Sequence, residues 1–152
     1  MANTRSLTEL ADEYSQRMIR GDFTALDDLV SPDWITHAFP KHILPAFFEV
    51  TCARDGERVF YTQVLRAFPH DREIVYNKNM RIDDEHVVIN YTIRGTHDGE
   101  AFFDVPPSGE EERIHGTAIL RFEKDKLVEH WGGPTCCTCT GYVRLAARDD
   151  ER

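Results

Sequence analysis

The stretch from Gly95 to Trp131, GTHDGEAFFDVPPSGEEERIHGTAILRFEKDKLVEHW, decides how the rest of the chain reads. A strand runs into Gly95-Thr96-His97. A polar loop turns at Pro106-Pro107-Ser108-Gly109, and a hairpin follows with alternating arms, Ile114 to Phe122 and Leu127 to Trp131, joined at Glu123–Lys126. Apolar residues at every second position mark strands with two different faces. Here the alternation sets His, Arg, Glu and Trp among apolar neighbours.

Working outward, the period stays at two as far back as Glu73. Strands are predicted at Glu73–Ile82, His86–His97, Arg113–Glu123 and Leu127–Cys139, with Asp83-Asp84-Glu85 turning between the first two. Before Glu73 the period is helical. Ser6-Leu7-Thr8-Glu9 fits a capping box, and Leu7, Leu10, Ala11, Tyr14 and Met18 follow it at helix spacing. Gly21 fits a helix stop and Asp22 a new N-cap. Leu26, Leu29 and Val30 suggest a short second helix before Ser31-Pro32, and Trp34–Phe39 a short strand. Lys41–Arg54, interrupted by Pro45, reads as an aromatic rim or lid. Asp55 is placed to cap a third helix whose face carries Phe60, Val64 and Phe68, with Leu65 alongside and Pro69 at its end. Helices followed by a run of strands indicate an α+β fold rather than alternating βαβ units. There is no internal repeat and no Gly-rich phosphate loop. The tail 149–152 is expected to fray.

The 152 residues suggest one domain over 1–152, and the 41% apolar fraction is ordinary for a packed core. The net charge of −9, with Lys and Arg scattered, argues against nucleic acid or an anionic membrane as partner. A polar N-terminus and the lack of a membrane-length apolar run lead us to expect a cytoplasmic protein. Cys136, Cys137 and Cys139 crowd one segment and Cys52 stands apart. Without a second ligand pair they are expected to be reduced thiols that hold no metal.

Gly95-Thr96-His97-Asp98-Gly99, Pro106-Pro107-Ser108-Gly109 and Lys126-Leu127-Val128-Glu129-His130-Trp131 occur in order. Upstream stand Asp33-Trp34-Ile35-Thr36-His37 and Ala67-Phe68-Pro69. This ordered set resembles the SnoaL-like polyketide cyclases of the NTF2-like superfamily. The resemblance implies a cone in which a curved, mainly antiparallel sheet wraps the N-terminal helices and encloses an apolar pocket. It also implies a cofactor-independent cyclase or isomerase of secondary metabolism, such as antibiotic biosynthesis, acting on a hydrophobic polyketide-like intermediate. One position departs from the family. Characterised cyclases place an acid/base Asp shortly after the Glu-His-Trp-like motif, where this chain has Thr135. A hydroxyl of that kind cannot exchange a proton near neutral pH, so another residue must carry it or the reaction must need little acid/base help.

The candidates for that work are His37, His97 and Glu129. Both imidazoles end strands, where a group titrating near neutrality can reach a pocket. Tyr14, Tyr91, Arg121 and Trp131 are candidates for holding the substrate. Arg121 and Glu129 occupy facing hairpin arms. If they point inward they can orient a carbonyl and move a proton; if outward they form an ion pair of little weight. The alternation leaves both open. Apolar residues also appear on both faces of the strands, Val87, Ile89, Tyr91 and Ile93 against Val88. Helices can cover one face, and a second copy of the chain is the simplest cover for the other, so a homodimer is expected. An epoxide-opening enzyme and a non-catalytic ligand-binding module are the alternative functions.

Overall fold

The computed structural model describes residues 5–37, 54–103 and 105–137. The element order is α1 (Leu7–Ile19), α2 (Ala25–Leu29), β1 (Val30–His37), α3 (Arg54–Ala67), β2 (Glu73–Arg81), β3 (His86–Thr96), β4 (Glu111–Glu123) and β5 (Lys126–Cys137). The fold is α+β, helices packed on a curved, open, mixed sheet of strand order β1-β5-β4-β3-β2. β1 runs parallel to β5, and the other pairs are antiparallel.

The termini of α1 follow from its sequence. Glu9 N donates to Ser6 Oγ at 3.2 Å while Ser6 N donates to Glu9 Oε2 at 2.7 Å, so both halves of the capping box form. At the far end Gly21 takes φ +83°. Its N–H reaches Met18 O and that of Asp22 reaches Arg17 O, the paired bonds that close a helix through a left-handed residue. Leu10, Ala11, Tyr14 and Met18 form the buried stripe.

Several boundaries differ from the sequence reading. Thr24, not Asp22, precedes α2; the Asp22 carboxylate instead accepts from Arg17 and from Thr24 N. Val30 leaves the helix and opens β1, which continues through Ser31-Pro32. Proline survives there because β1 is an edge strand whose pairing with β5 is irregular between Val30 and Ile35. Ala38 and Phe39, with the rim segment and Cys52, lie outside the described residues, as do Cys139 and the tail. Asp55 lies within α3. Phe60, Val64 and Phe68 do form the buried face of α3. The bulky loop at Ala101-Phe102-Phe103 turns Phe102 into the core, its ring 6.2 Å from Phe60 and 6.0 Å from Phe68.

The sheet has an inner and an outer face. Val87, Ile89, Tyr91, Ile93, Ala118, Leu120 and Phe122 point inward beneath the helices. On the outer face Met80, Val88, Ile119, Trp131 and His37 stand in register, forming one row across all five strands. A neighbouring row carries His86, Arg121, Glu129 and Ile35. Among the described residues no helix is long and apolar enough to cross a membrane.

Candidate active site

Two irregularities in the hairpin decide what β5 presents to each face. Phe122 pairs with Leu127 and Arg121 with Glu129, so Val128 is an extra residue opposite a single step of β4. Strict alternation from the buried Leu127 would point Glu129 and Trp131 inward. The bulge shifts the phase by one residue and turns His130 inward instead. A second bulge lies where His115 pairs with Cys136 and Gly116 with Pro134, which makes Thr135 the extra residue.

The inward set surrounds a cavity between α1, α3 and the sheet. Tyr14, Ser15, Glu57, Phe60, Tyr61, Ile74, Ile89, Tyr91, Ala118, Leu120, His130, Gly133 and Pro134 line it, and its volume is about 30 Å³. That is room for water; small-molecule pockets measure roughly 300–1,000 Å³.

Glu57 is the chemical centre of this cavity. It lies on the face of α3 shared with Phe60, Tyr61 and Val64 and is only 8% exposed. Tyr14 Oη donates to Glu57 Oε2 at 2.9 Å. On the other side His130 Nδ1 stands 3.6 Å from Glu57 Oε1. Burial penalises the carboxylate more than the Tyr14 bond rewards it, so the carboxyl is pushed up from its ordinary 4.5 to about 7. His130 shifts the other way. Burial first, then the nearby His37, holds its imidazole down at about 4. Both ring nitrogens of His130 lack a hydrogen-bond partner among the described residues. The rings of His130 and Trp34 lie 5.9 Å apart. Burial, with the negative charge of Glu57 nearby, raises the Tyr14 phenol well above its ordinary value and raises Tyr61 and Tyr91 likewise, so all three remain protonated donors.

Tyr91 is seated by a glycine. It faces Gly116 across β3 and β4, and a Cβ added at Gly116 would meet Tyr91 Cζ at 2.3 Å and its Oη at 2.4 Å. The absence of a side chain at Gly116 lets the phenol lie flat on β4 and point into the cavity lining.

The sequence-derived candidates divide between places. Tyr14 and Tyr91 line the cavity. Arg121, Glu129, Trp131 and His37 gather on the outer face. His37 Nε2 lies 2.7 Å from Glu129 Oε1, Arg121 Nε donates to Glu129 Oε2 at 2.9 Å, and the His37 ring stacks on Trp131 at 5.2 Å. The His37 bond, then Arg121, holds the Glu129 carboxyl below its ordinary value. Of the two orientations left open for Arg121 and Glu129, the outward one is observed. His97 is fully buried in the turn after β3. Its Nε2 lies 2.9 Å from Glu100 O, its backbone bonds Glu110 and Gly109, and its ring packs against Phe68.

Glu57 and His130 are missing from the sequence-derived set, and only Glu57 left a trace in the sequence. Glu57 precedes Phe60, Tyr61 and Val64 by three, four and seven residues, so a carboxylate stands in the apolar stripe of α3. A charge in that position is costly unless it is paired or hydrogen-bonded, or gives way to the neutral form. His130 is betrayed only by the bulge, which the sequence does not announce. Among the described residues no three His, Cys, Asp or Glu side chains gather as a metal site.

Helices packed on a curved, open, mixed five-stranded sheet make the NTF2-like class of fold. Within it, the family described as SnoaL-like polyketide cyclase matches residues 8–134, and the chain belongs to that family. Among solved structures it is similar to AclR of Streptomyces galilaeus, a candidate hydroxylase, at 25% identity with a TM-score of 0.66, covering 91% of this chain and 93% of that one. IdmH of Streptomyces antibioticus, a candidate polyketide cyclase, is 19% identical with a TM-score of 0.71, covering 94% and 99%. A candidate polyketide cyclase of Acidithiobacillus ferrooxidans is 18% identical with a TM-score of 0.68, covering 97% and 99%. No curated protein matches the chain.

Proposed function

We propose that this protein closes a ring in a hydrophobic, polyketide-like intermediate without a cofactor, and that Glu57 carries the proton. The observation that supports this reading is a buried carboxyl poised near pH 7 in a cavity where three phenols and an imidazole stand among apolar side chains. A group with that affinity serves equally as base and acid at neutral pH, which is where proton transfer is most effective. As carboxylate, Glu57 would take a proton from the acidified carbon between two carbonyls. The carbanion attacks a carbonyl carbon within the same folded chain, and the carboxyl returns its proton to the new alkoxide. Tyr14, Tyr61 and Tyr91, all kept protonated, can donate to the oxygens on which charge develops. Glu57 thereby fills the role that Thr135 cannot.

The water-sized cavity favours a second reading, in which Glu57 activates water to open an epoxide. One experiment separates them. Open-chain and partly cyclised aromatic polyketide esters, with epoxides of similar size, are incubated with wild type and with Glu57→Gln, and products are resolved by mass. Ring closure with unchanged mass that falls about 10²–10⁴-fold in the variant supports the cyclase. Addition of one water supports the alternative. Full turnover in a folded Glu57→Gln would overturn the role of Glu57, and closure no faster than without protein would leave a binding module.

We also propose that the chain pairs with a second copy through its outer face. The row Met80–Val88–Ile119–Trp131 is apolar, with Met80 46% and Ile119 36% exposed, and its flank carries both signs, Arg121 and His86 against Glu129 and Asp83. Such a surface complements a copy of itself. Five strands about 4.8 Å apart, over about nine residues of about 3.3 Å, offer roughly 700 Å² per copy. A stable interface takes about 800 Å².

A further inference from the structure

We infer that His130 is the proton partner of Glu57: a neutral imidazole whose tautomer follows the protonation state of the carboxyl, and through which the proton reaches or leaves the cavity. This rests on Glu57 as the acid/base group, but its test needs no turnover.

The geometry carries the inference. His130 Nδ1 faces Glu57 Oε1 at 3.6 Å, about 0.6 Å beyond an ordinary hydrogen bond, and nothing else among the described residues engages either ring nitrogen. Among the described residues, the group nearest to Nδ1 is thus the Glu57 carboxyl, and both are buried. The two states of Glu57 make opposite demands on Nδ1. A protonated Glu57 needs an acceptor there, which fixes the proton of the ring on Nε2. An ionised Glu57 needs a donor, which places it on Nδ1. Proton balance allows a relay. The Glu57 carboxyl gives its hydrogen to Nδ1 as Nε2 gives its own to a water, leaving a carboxylate, an Nδ1–H ring and a hydronium that passes the proton on to solvent. The reverse sequence collects a proton. No imidazolium forms at any point, as suits a ring so buried.

The groups facing this pair are few. Tyr14 approaches from α1, Tyr61 from α3 and Tyr91 from β3, and all stay neutral. His37 of β1 is the charge acting on His130 from outside the cavity. Nothing else among the described residues competes with Glu57 as the titrating neighbour of Nδ1.

The test is long-range ¹H–¹⁵N NMR of histidine-labelled protein between pH 5 and 9, with no ligand added. The His130 ring should convert from the Nε2–H to the Nδ1–H tautomer with a midpoint matching the ¹³C titration of the Glu57 carboxyl. In Glu57→Gln the conversion should vanish, and in His130→Phe the Glu57 midpoint should rise because the carboxylate loses its donor. A tautomer unchanged through the Glu57 titration, or a ring that becomes imidazolium near neutrality, overturns the inference. If the tautomer tracks Glu57 while Glu57→Gln still turns substrate over, the pair stands and the cyclase role of Glu57 fails.

Discussion

Glu57 and His130 shift in opposite directions, and the pH dependence of stability should expose them one at a time. Glu57 rises from 4.5 to about 7 on folding. Between those values the folded chain keeps a proton that the unfolded chain has lost, so stability falls as pH rises, by about 3 kcal/mol across the window. His130 drops from 6.5 to about 4. Between those values the unfolded chain binds a proton that the folded chain refuses, so stability climbs with pH, again by about 3 kcal/mol. The windows overlap, and the wild type should be nearly flat in this respect from pH 4.5 to 6.5. Glu57→Gln retains an acceptor for Tyr14 and removes the falling limb, leaving stability that climbs with pH. His130→Phe removes the climbing limb, leaving stability that falls. Urea unfolding of all three proteins at pH 4.5, 5.5, 6.5 and 7.5 reads this directly. Differences from wild type cancel the exposed carboxylates, whose ionisation is common to all three. Profiles that stay parallel within about 0.5 kcal/mol would refute the paired shifts.

Light scattering after gel filtration should give twice the chain mass, and Ile119→Glu, which puts a charge in the outer apolar row, should give one chain mass with unchanged circular dichroism; a monomeric wild type at micromolar concentration sinks the outer-face pairing. Gly116→Ala should destabilise the fold by about 1–3 kcal/mol in thermal unfolding, because its Cβ must displace the Tyr91 ring or the strand beneath it. An unperturbed Gly116→Ala would mean that the Tyr91 seat is looser than its contacts imply.

The architecture was legible because local signals agreed with one another. Ser6 and Glu9 cap α1, Gly21 ends it, and the strands from Glu73 to Glu123 fall within one or two residues of their predicted boundaries. The site was half legible. Tyr14 and Tyr91 sit where helical and strand periods put them, facing inward. Glu129 and Trp131 were ambiguous because period-two reasoning holds only while the pairing is regular, and Val128 interrupts it. Glu57 was readable in principle, as a carboxylate on an apolar helix stripe, but the apolar spacing itself begins only at Phe60 and runs on to Val64 and Phe68. His130 depended on the bulge, which is a property of two strands together and not of either alone.

An open five-stranded sheet has two edges, and each exposes backbone groups that invite a further strand. Here both are blunted. The β1 edge carries Pro32, which has no N–H to offer, and its pairing is irregular over Val30–Ile35. The β2 edge is interrupted at Asn77, whose amide turns back onto Asn90 and Thr92, and it continues through the charged Lys78 and Arg81. A strand that kinks and carries charge makes a poor template for ladder growth. Edge-to-edge stacking, which adds copies without limit, is therefore discouraged at both sides of the sheet. Among the described residues the broad outer face presents no such ladder, and a contact between copies made there, as proposed, would close on itself.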